Sequence, residues 1–275
     1  MYTKISDSTK NIFAKRNRAM LKELVLTDFK LRYQGSFLGY AWSLLKPLGL
    51  FSILYVVFVR FLKLGGNIEH ISIYLLLGIV IWSFFTEATS GALQSIVSRG
   101  DVIRKIKFPK YIIVLASTIG ALINLGLNLI IVFIFAAFNK VDFSHRMLSS
   151  GLFFLELYAL VLGIGLFLAA LYVKFRDIGH IWEVVLQGAF YATPILYPIS
   201  QIEGINTKAA KILMLSPMAQ IIQDLRFSIV SPQAKRTIDI VQYPFNLIPY
   251  ILTALILILG VVYFKKNSKE FAESL

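Results

Sequence analysis

Six stretches of this 275-residue chain, at 47–62, 71–93, 111–138, 148–173, 181–198 and 246–264, are apolar and long enough, or nearly so, to cross a bilayer. A membrane helix needs roughly 17–25 such residues. Inside hydrocarbon no water satisfies an open backbone, so each stretch is expected to be helical. Composition agrees: 57% of the residues are hydrophobic and the mean hydropathy is +0.72, against about 45–50% apolar residues in a soluble domain. The predicted fold is therefore an all-α membrane protein with six transmembrane helices in one domain, 1–275. Residues 1–46 form a cytoplasmic and interfacial lead-in, 47–264 the six-span bundle and 265–275 a tail. An even number of spans puts both termini on one side.

Charge says which side. The formal net charge is +13, which in a soluble protein would suggest nucleic acid. Here the basic residues collect in segments that fall on one side of the membrane. Lys4 through Lys46 precede the first span. Arg99, Arg104, Lys105, Lys107 and Lys110 fall between the second and third, Lys174 and Arg176 between the fourth and fifth, and Lys265, Lys266 and Lys269 after the sixth. By the positive-inside rule both termini are cytoplasmic, and no nucleic-acid partner is needed to explain the charge. No cysteine is present, so disulfides and thiolate metal sites are excluded.

Three segments are neither spans nor ordinary loops. Residues 11–33 mix Met20, Leu21, Leu24, Val25, Leu26, Phe29 and Leu31 with six Lys or Arg, a composition suited to an interfacial amphipathic helix. Pro47 is expected in the first turn of the helix that follows, where its missing N–H costs nothing. Residues 98–110, SRGDVIRKIKFPK, are basic, with Val102, Ile103 and Ile106 at helical spacing and Phe108-Pro109 as a stop. Residues 200–245 are too long for a simple connection and hold apolar pieces at 211–214 and 218–230, broken by Pro217 and Pro232. Short re-entrant or interfacial helices near the outer face are predicted there.

Chemistry of the usual enzymatic kinds is missing from the sequence. No phosphate-binding G-x-x-x-x-G-K-[ST] loop occurs, nor an Asp-x-Asp pair. His70, His145 and His180 have no ligand spacing. An enzyme or metal-site reading therefore has no residues to carry it. Glu87, Glu156 and Glu183, with Asn124 and Asn128, lie within apolar stretches. A charge at bilayer depth is costly and faces protein or a water-filled path; for Glu87, a pore role and a structural hydrogen bond both stand open.

Several segments, in order, resemble one family. They are LTDFKLRYQGSFLGYAWSLLKPL (26–48), VIRKIKFPKYI (102–112), FRDIGHIWEVVLQGAFYATPILYP (175–198), LSPMAQIIQDLR (215–226) and FKKNSKEFAESL (264–275). Together they resemble the polysaccharide-exporting ABC permeases of the type-2 export superfamily, whose members serve O-antigen, capsule, teichoic acid and rhamnose-rich wall polysaccharides. The resemblance implies a homodimer in the plasma membrane of a bacterium. Each half would bind one copy of a separate P-loop ATPase, which holds the ATP and magnesium; this chain would hold no cofactor.

The resemblance also implies sites. Arg99, Asp101, Val102, Ile103, Arg104, Lys105, Ile106 and Lys107 would couple to the ATPase by docking into its cleft. A glycan carried on polyprenyl diphosphate would meet Lys30, Arg32 and Lys46 at the cytoplasmic headgroup level, since Arg and Lys bind phosphate oxygens. Tyr40, Trp42, Phe51, Tyr55, Phe58, Trp82, Phe84, Phe85 and Glu87 are candidates for a glycan conduit. Lipid-facing bulk and interface belts explain aromatic residues equally well. Two alternatives remain: a type-2 permease for a drug or simple lipid, and a flippase or membrane enzyme without an ATPase.

Overall fold

A computed structural model of the protein describes residues 15–33, 39–62, 68–105, 108–142 and 144–271; the side chains of residues 29, 31–33 and 40 are outside that set. Among the described residues the chain is helical, with no strand. Helix α1 (Lys15–Tyr33) is the expected lead-in helix and packs along α5 (Tyr111–Phe138). Helix α2 (Trp42–Leu54) runs on into a π-helical turn, Tyr55–Phe61. Helix α3 (Ile71–Ser95) is the centre of the bundle and is buried along most of its length. The short α4 (Gly100–Lys105) precedes α5, and α6 (Ser150–Lys174) follows it. Helix α7 (Ile178–Ala192) comes next, then four short helices: α8 (Ile199–Ile205), α9 (Thr207–Met214), α10 (Pro217–Ile229) and α11 (Thr237–Ile240). Helix α12 (Ile248–Asn267) closes the chain and packs beside α6.

Five helical segments are long and apolar enough to cross a membrane: Trp42–Phe61, Ile71–Ser95, Tyr111–Phe138, His145–Lys174 and Phe245–Asn267. The remaining predicted span, 181–198, is not one continuous helix. Helix α7 has 15 residues, about 22 Å at 1.5 Å per residue, against a hydrocarbon core of about 30 Å. It stops where Pro194 forces Thr193 into an extended conformation (φ −89°, ψ 139°). The chain then stays non-helical through Pro198. Even so, α7 travels from one end of the bundle to the other. It starts next to the end of α6, and Pro194 and Ile195 reach the segment around Tyr74 at the start of α3.

The two ends of the bundle differ. One gathers α1, α4, the start of α5, the end of α6 and the C-terminal Phe264–Phe271 ring pair, 5.4 Å between centroids. Asp28 of α1 pairs with Arg99, Lys110 donates to the Ser268 carbonyl, and Lys174 meets Glu270 at 3.6 Å. These are the basic segments of the sequence. The other end gathers 68–74, the turn 145–149 and α8–α11.

Pro47 falls elsewhere than expected. Helix α2 begins at Trp42, so Pro47 sits in its interior rather than its first turn. It cannot donate to the Ser43 carbonyl one turn back. Asn128 of α5 covers that position: its Nδ2 donates to Ser43 O at 3.1 Å and to Asn124 O at 2.8 Å. The amide thus joins α2 to α5 across the proline defect. Asn128→Leu is expected to cost about 1–3 kcal/mol, the usual penalty for removing a buried partner. Thermal unfolding in detergent would show it. Adding Pro47→Ala should restore part of the loss by returning the N–H.

Candidate functional site

The end of the bundle that gathers the basic segments also carries α4. In α4, Ile103 is 6% exposed and packs with Leu24, Phe108, Tyr111 and Phe264 of the same chain. Ile103 therefore helps seat α4 on its own bundle. The outward face carries Asp101, Arg104 and Lys105, with Val102 at its edge. Arg99, in the turn just before α4, pairs with Asp28, so the start of this segment is tied to α1. Ile106 and Lys107 are outside the described residues.

The three cationic candidates for a diphosphate are only partly placed. Lys30 and Lys46 are exposed, near the end of α1 and within α2; the Arg32 side chain is outside the described residues.

Four of the eight aromatic candidates go inward. Trp82 (7% exposed), Phe84, Phe85 and Phe51 belong to the central core. Trp82 lies 5.3 Å from Phe85 and 5.9 Å from Phe190, ring to ring, and Phe85 lies 6.3 Å from Trp182. The Trp182 indole donates to Thr89 Oγ1 at 3.1 Å. This aromatic set binds α7 to α3. Glu87 accepts from Asn124 Nδ2 at 2.7 Å, a helix-to-helix hydrogen bond. Trp42 is 52% exposed, Tyr55 and Phe58 are half-buried, and the Tyr40 side chain is outside the described residues. Apolar faces are uncovered on several helices of the single chain, α5 and α12 among them, and two lie on the helices that carry these aromatic residues. One is on α2 and its π turn, at Ile53, Val56, Val57 and Phe61; the other is on α7, at Ile181, Val184, Val185 and Tyr191.

The opposite end holds a constellation that residue spacing alone missed. Helix α10 is short, yet it buries Gln220, Gln223, Asp224, Arg226 and Ser228. Arg226 is completely buried. Its Nε donates to Tyr74 O at 3.0 Å, Nη1 to Pro194 O at 2.6 Å and Nη2 to Ile195 O at 2.7 Å, and its guanidinium lies 3.6 Å from the centre of the Tyr74 ring. One side chain thus binds α10 to α3 and to the non-helical segment after α7. Two of the carbonyls it takes, Pro194 O and Ile195 O, lie where α7 has broken, and such backbone survives in a membrane protein only where protein satisfies it. Gly78 makes room: a Cβ there would lie 2.5 Å from Arg226 Nη2. Around it, Tyr74 Oη donates to Gln223 Oε1 at 3.1 Å, Ser149 and Ser228 hydroxyls meet at 2.9 Å, and Arg146 donates to Phe227 O at 3.2 Å. The visible signal was four polar residues, Gln220, Gln223, Asp224 and Arg226, on a helix too apolar to be a loop.

A polytopic helical bundle with a polar, anchored connecting helix at one end and a packed polar strap at the other has the construction of a membrane transport subunit. The ABC-2 type transporter family is matched over residues 20–229, and the chain belongs to it. It is 30% identical over 205 residues to the O-antigen export system permease protein RfbA of Myxococcus xanthus, covering 74% of this chain and 77% of that one. It is 28% identical over 255 residues to the O-antigen export system permease protein RfbA of Klebsiella pneumoniae, covering 90% and 92%. A second Klebsiella pneumoniae protein of that name is 26% identical over 250 residues.

Proposed function

We propose that this chain is the membrane half of an ABC exporter that moves a polysaccharide linked to polyprenyl diphosphate across the plasma membrane of a bacterium. Two copies would form the conduit and two copies of a separate P-loop ATPase would drive it. The observation that carries the reading is the similarity to O-antigen export permeases over most of the chain. Physical features support it. The sequence has no phosphate-binding loop, so the motor belongs to another chain. The uncovered faces on α2 and α7 suit a second copy. The sixth crossing would be α7 together with its extended exit, with α8–α11 as an outer cap and both termini cytoplasmic. With Trp82, Phe84 and Phe85 in the core, the conduit would draw on Trp42, Tyr55, Phe58 and the open face of α7. Lys30, Arg32 and Lys46 would receive the diphosphate.

Depleting the chain in its own host is the test. The expected result is loss of surface polysaccharide with lipid-linked glycan accumulating inside; unchanged surface glycan would overturn the reading. The coupling face gives a sharper check. Asp101→Lys combined with Arg104→Glu and Lys105→Glu inverts the outward charges of α4 and leaves Ile103 seated. Export is expected to fall at least about tenfold, equivalent to about 1.4 kcal/mol, and a tagged ATPase should no longer co-purify. Retention of both would remove α4 from the interface.

A further inference from the structure

The segment after α12 does not leave the bundle. Asn267, itself buried, donates from Nδ2 to Tyr263 O at 2.8 Å, which finishes the last turn of α12. The chain then reverses: Ser268 N donates to Phe264 O at 2.8 Å and Glu270 N to Asn267 O at 3.1 Å. The reversal delivers Phe271 to the interior. At 1% exposure it is the largest completely buried apolar side chain among the described residues.

Three neighbours hold it there. The Phe264 ring meets the Phe271 ring edge-on, 5.4 Å between centroids and 81° between planes. Lys110, just before α5, donates to the Ser268 carbonyl and sets its ammonium 5.4 Å from the centre of the Phe271 ring. One cation thus meets both a carbonyl and an aromatic face. Lys174, the last residue of α6, reaches Glu270 at 3.6 Å. That pair is open to solvent and contributes little by itself. The ring carries the contact, since a buried aromatic removes about 150–250 Å² from water.

The same buried cluster seats α4. Phe271 shares it with Ile103 of α4, Leu24 of α1, Ile113 of α5 and Val173 of α6. Helix α4 has six residues, well under the about 12–15 at which an isolated helix holds together in water. Its form and place therefore come from what it rests on. Ile103 enters the cluster, and Arg99 ties the preceding turn to Asp28. Loss of the Phe271 ring would leave a void in that cluster, and interiors close such voids only in part. A helix this short has too few other contacts to keep its place.

We infer that Phe271 is a positioning residue for α4, and that the segment 268–271 is a strap by which the chain fixes its own ATPase-facing helix. The inference rests on the role proposed above for α4. Phe271 acts through the cluster that holds Ile103 and not through the outward charges Asp101, Arg104 and Lys105. Without the ring those charges remain, but the helix that presents them moves against the bundle, and a push at α4 is absorbed before it reaches α3 and α5.

Electron paramagnetic resonance on the full chain in lipid vesicles tests the seat. The sequence has no cysteine, so Lys105→Cys carries a single nitroxide on the outward face of α4. The parent should give a restricted spectrum, and Phe271→Ala should lose the restricted component. Phe271→Leu leaves a smaller void and should fall between the two; it supplies the readout if Phe271→Ala does not accumulate. Ile221→Ala, which empties part of the core in α10 at the opposite end, is the control and should keep the parent spectrum. The same Phe271 substitutions with Lys105 intact should lower surface polysaccharide in the host at least about fivefold at matched levels of the chain, the low end for coupling between sites. Three results would overturn the inference: a parent-like spectrum in both Phe271 variants, the same loosening in Ile221→Ala, or unchanged surface polysaccharide despite a loosened α4. The first two strike the seat of α4 and the third strikes its coupling role, so the two failures are told apart.

Discussion

Replacing Gly260 with leucine is expected to leave little or no folded protein in the membrane. Helices α6 and α12 pack side by side, and their contact is set by Gly163 and Gly260. A Cβ at Gly163 would lie 2.6 Å from Leu257 Cα and 2.7 Å from its nitrogen. A Cβ at Gly260 would run into the Gly163 carbonyl. In both cases the obstacle is backbone, which cannot rotate away as a side chain can. Membrane helices lack a hydrophobic drive toward each other and rely on such close approach through small residues. Overpacking costs about 1–3 kcal/mol even where side chains can yield, so this substitution should exceed about 3 kcal/mol, a large share of a total stability of about 5–15 kcal/mol. Gly163→Leu should behave alike. Gly126→Leu on α5, where nothing lies within 4 Å of the added Cβ, is the control and should change stability by less than about 0.5 kcal/mol. Yield of monodisperse protein after detergent extraction measures all three. Full yield of Gly260→Leu would mean that α6 and α12 do not meet as described.

Arg226→Met should be nearly as damaging, for a different reason. It keeps the length of the side chain and removes every donor. The carbonyls of Tyr74, Pro194 and Ile195 then lose the guanidinium, at about 1 kcal/mol or more each, together about 3 kcal/mol. Arg226→Lys should not rescue, because one ammonium lacks the planar fork that reaches three carbonyls on two segments. Gly78→Ala should give a similar loss by pushing Nη2 away. Both substitutions act on one contact, so Gly78→Ala should add little once Arg226 is Met. Unfolding midpoints of the two single variants and the double variant, with surface glycan as a second readout, check this. Simple additivity would show that Gly78 and Arg226 act separately.

Much of the architecture was legible because lipid imposes a strict rule. Long apolar segments must be helices, and five of the six predicted stretches are long apolar helices. The lead-in helix, the short basic helix before α5 and the helices between 199 and 240 were likewise expected from composition and proline placement. The stretch 181–198 was harder. Hydropathy counts apolar residues and does not see that Pro194 turns Thr193 out of the helix, leaving carbonyls that need an outside donor. Pro47 was misplaced because the sequence does not show that Asn128, more than eighty residues away, supplies the donor that an interior proline removes.

The candidate sites divide in the same way. The sequence by itself determined a basic, polytopic helical chain, with enough ordered motif to point to its family, because hydropathy, charge asymmetry and motif order are properties of the linear chain. Only the tertiary structure decided direction. It turned Ile103, Trp82, Phe84 and Phe85 inward, gave Glu87 to Asn124, and gathered Tyr74, Pro194, Ile195 and Arg226 at one end of the bundle. A side chain's residue type states what it can bond. Whether it meets a carbonyl, a carboxylate or lipid depends on which helices lie beside it, and that is set by packing among segments far apart in the chain.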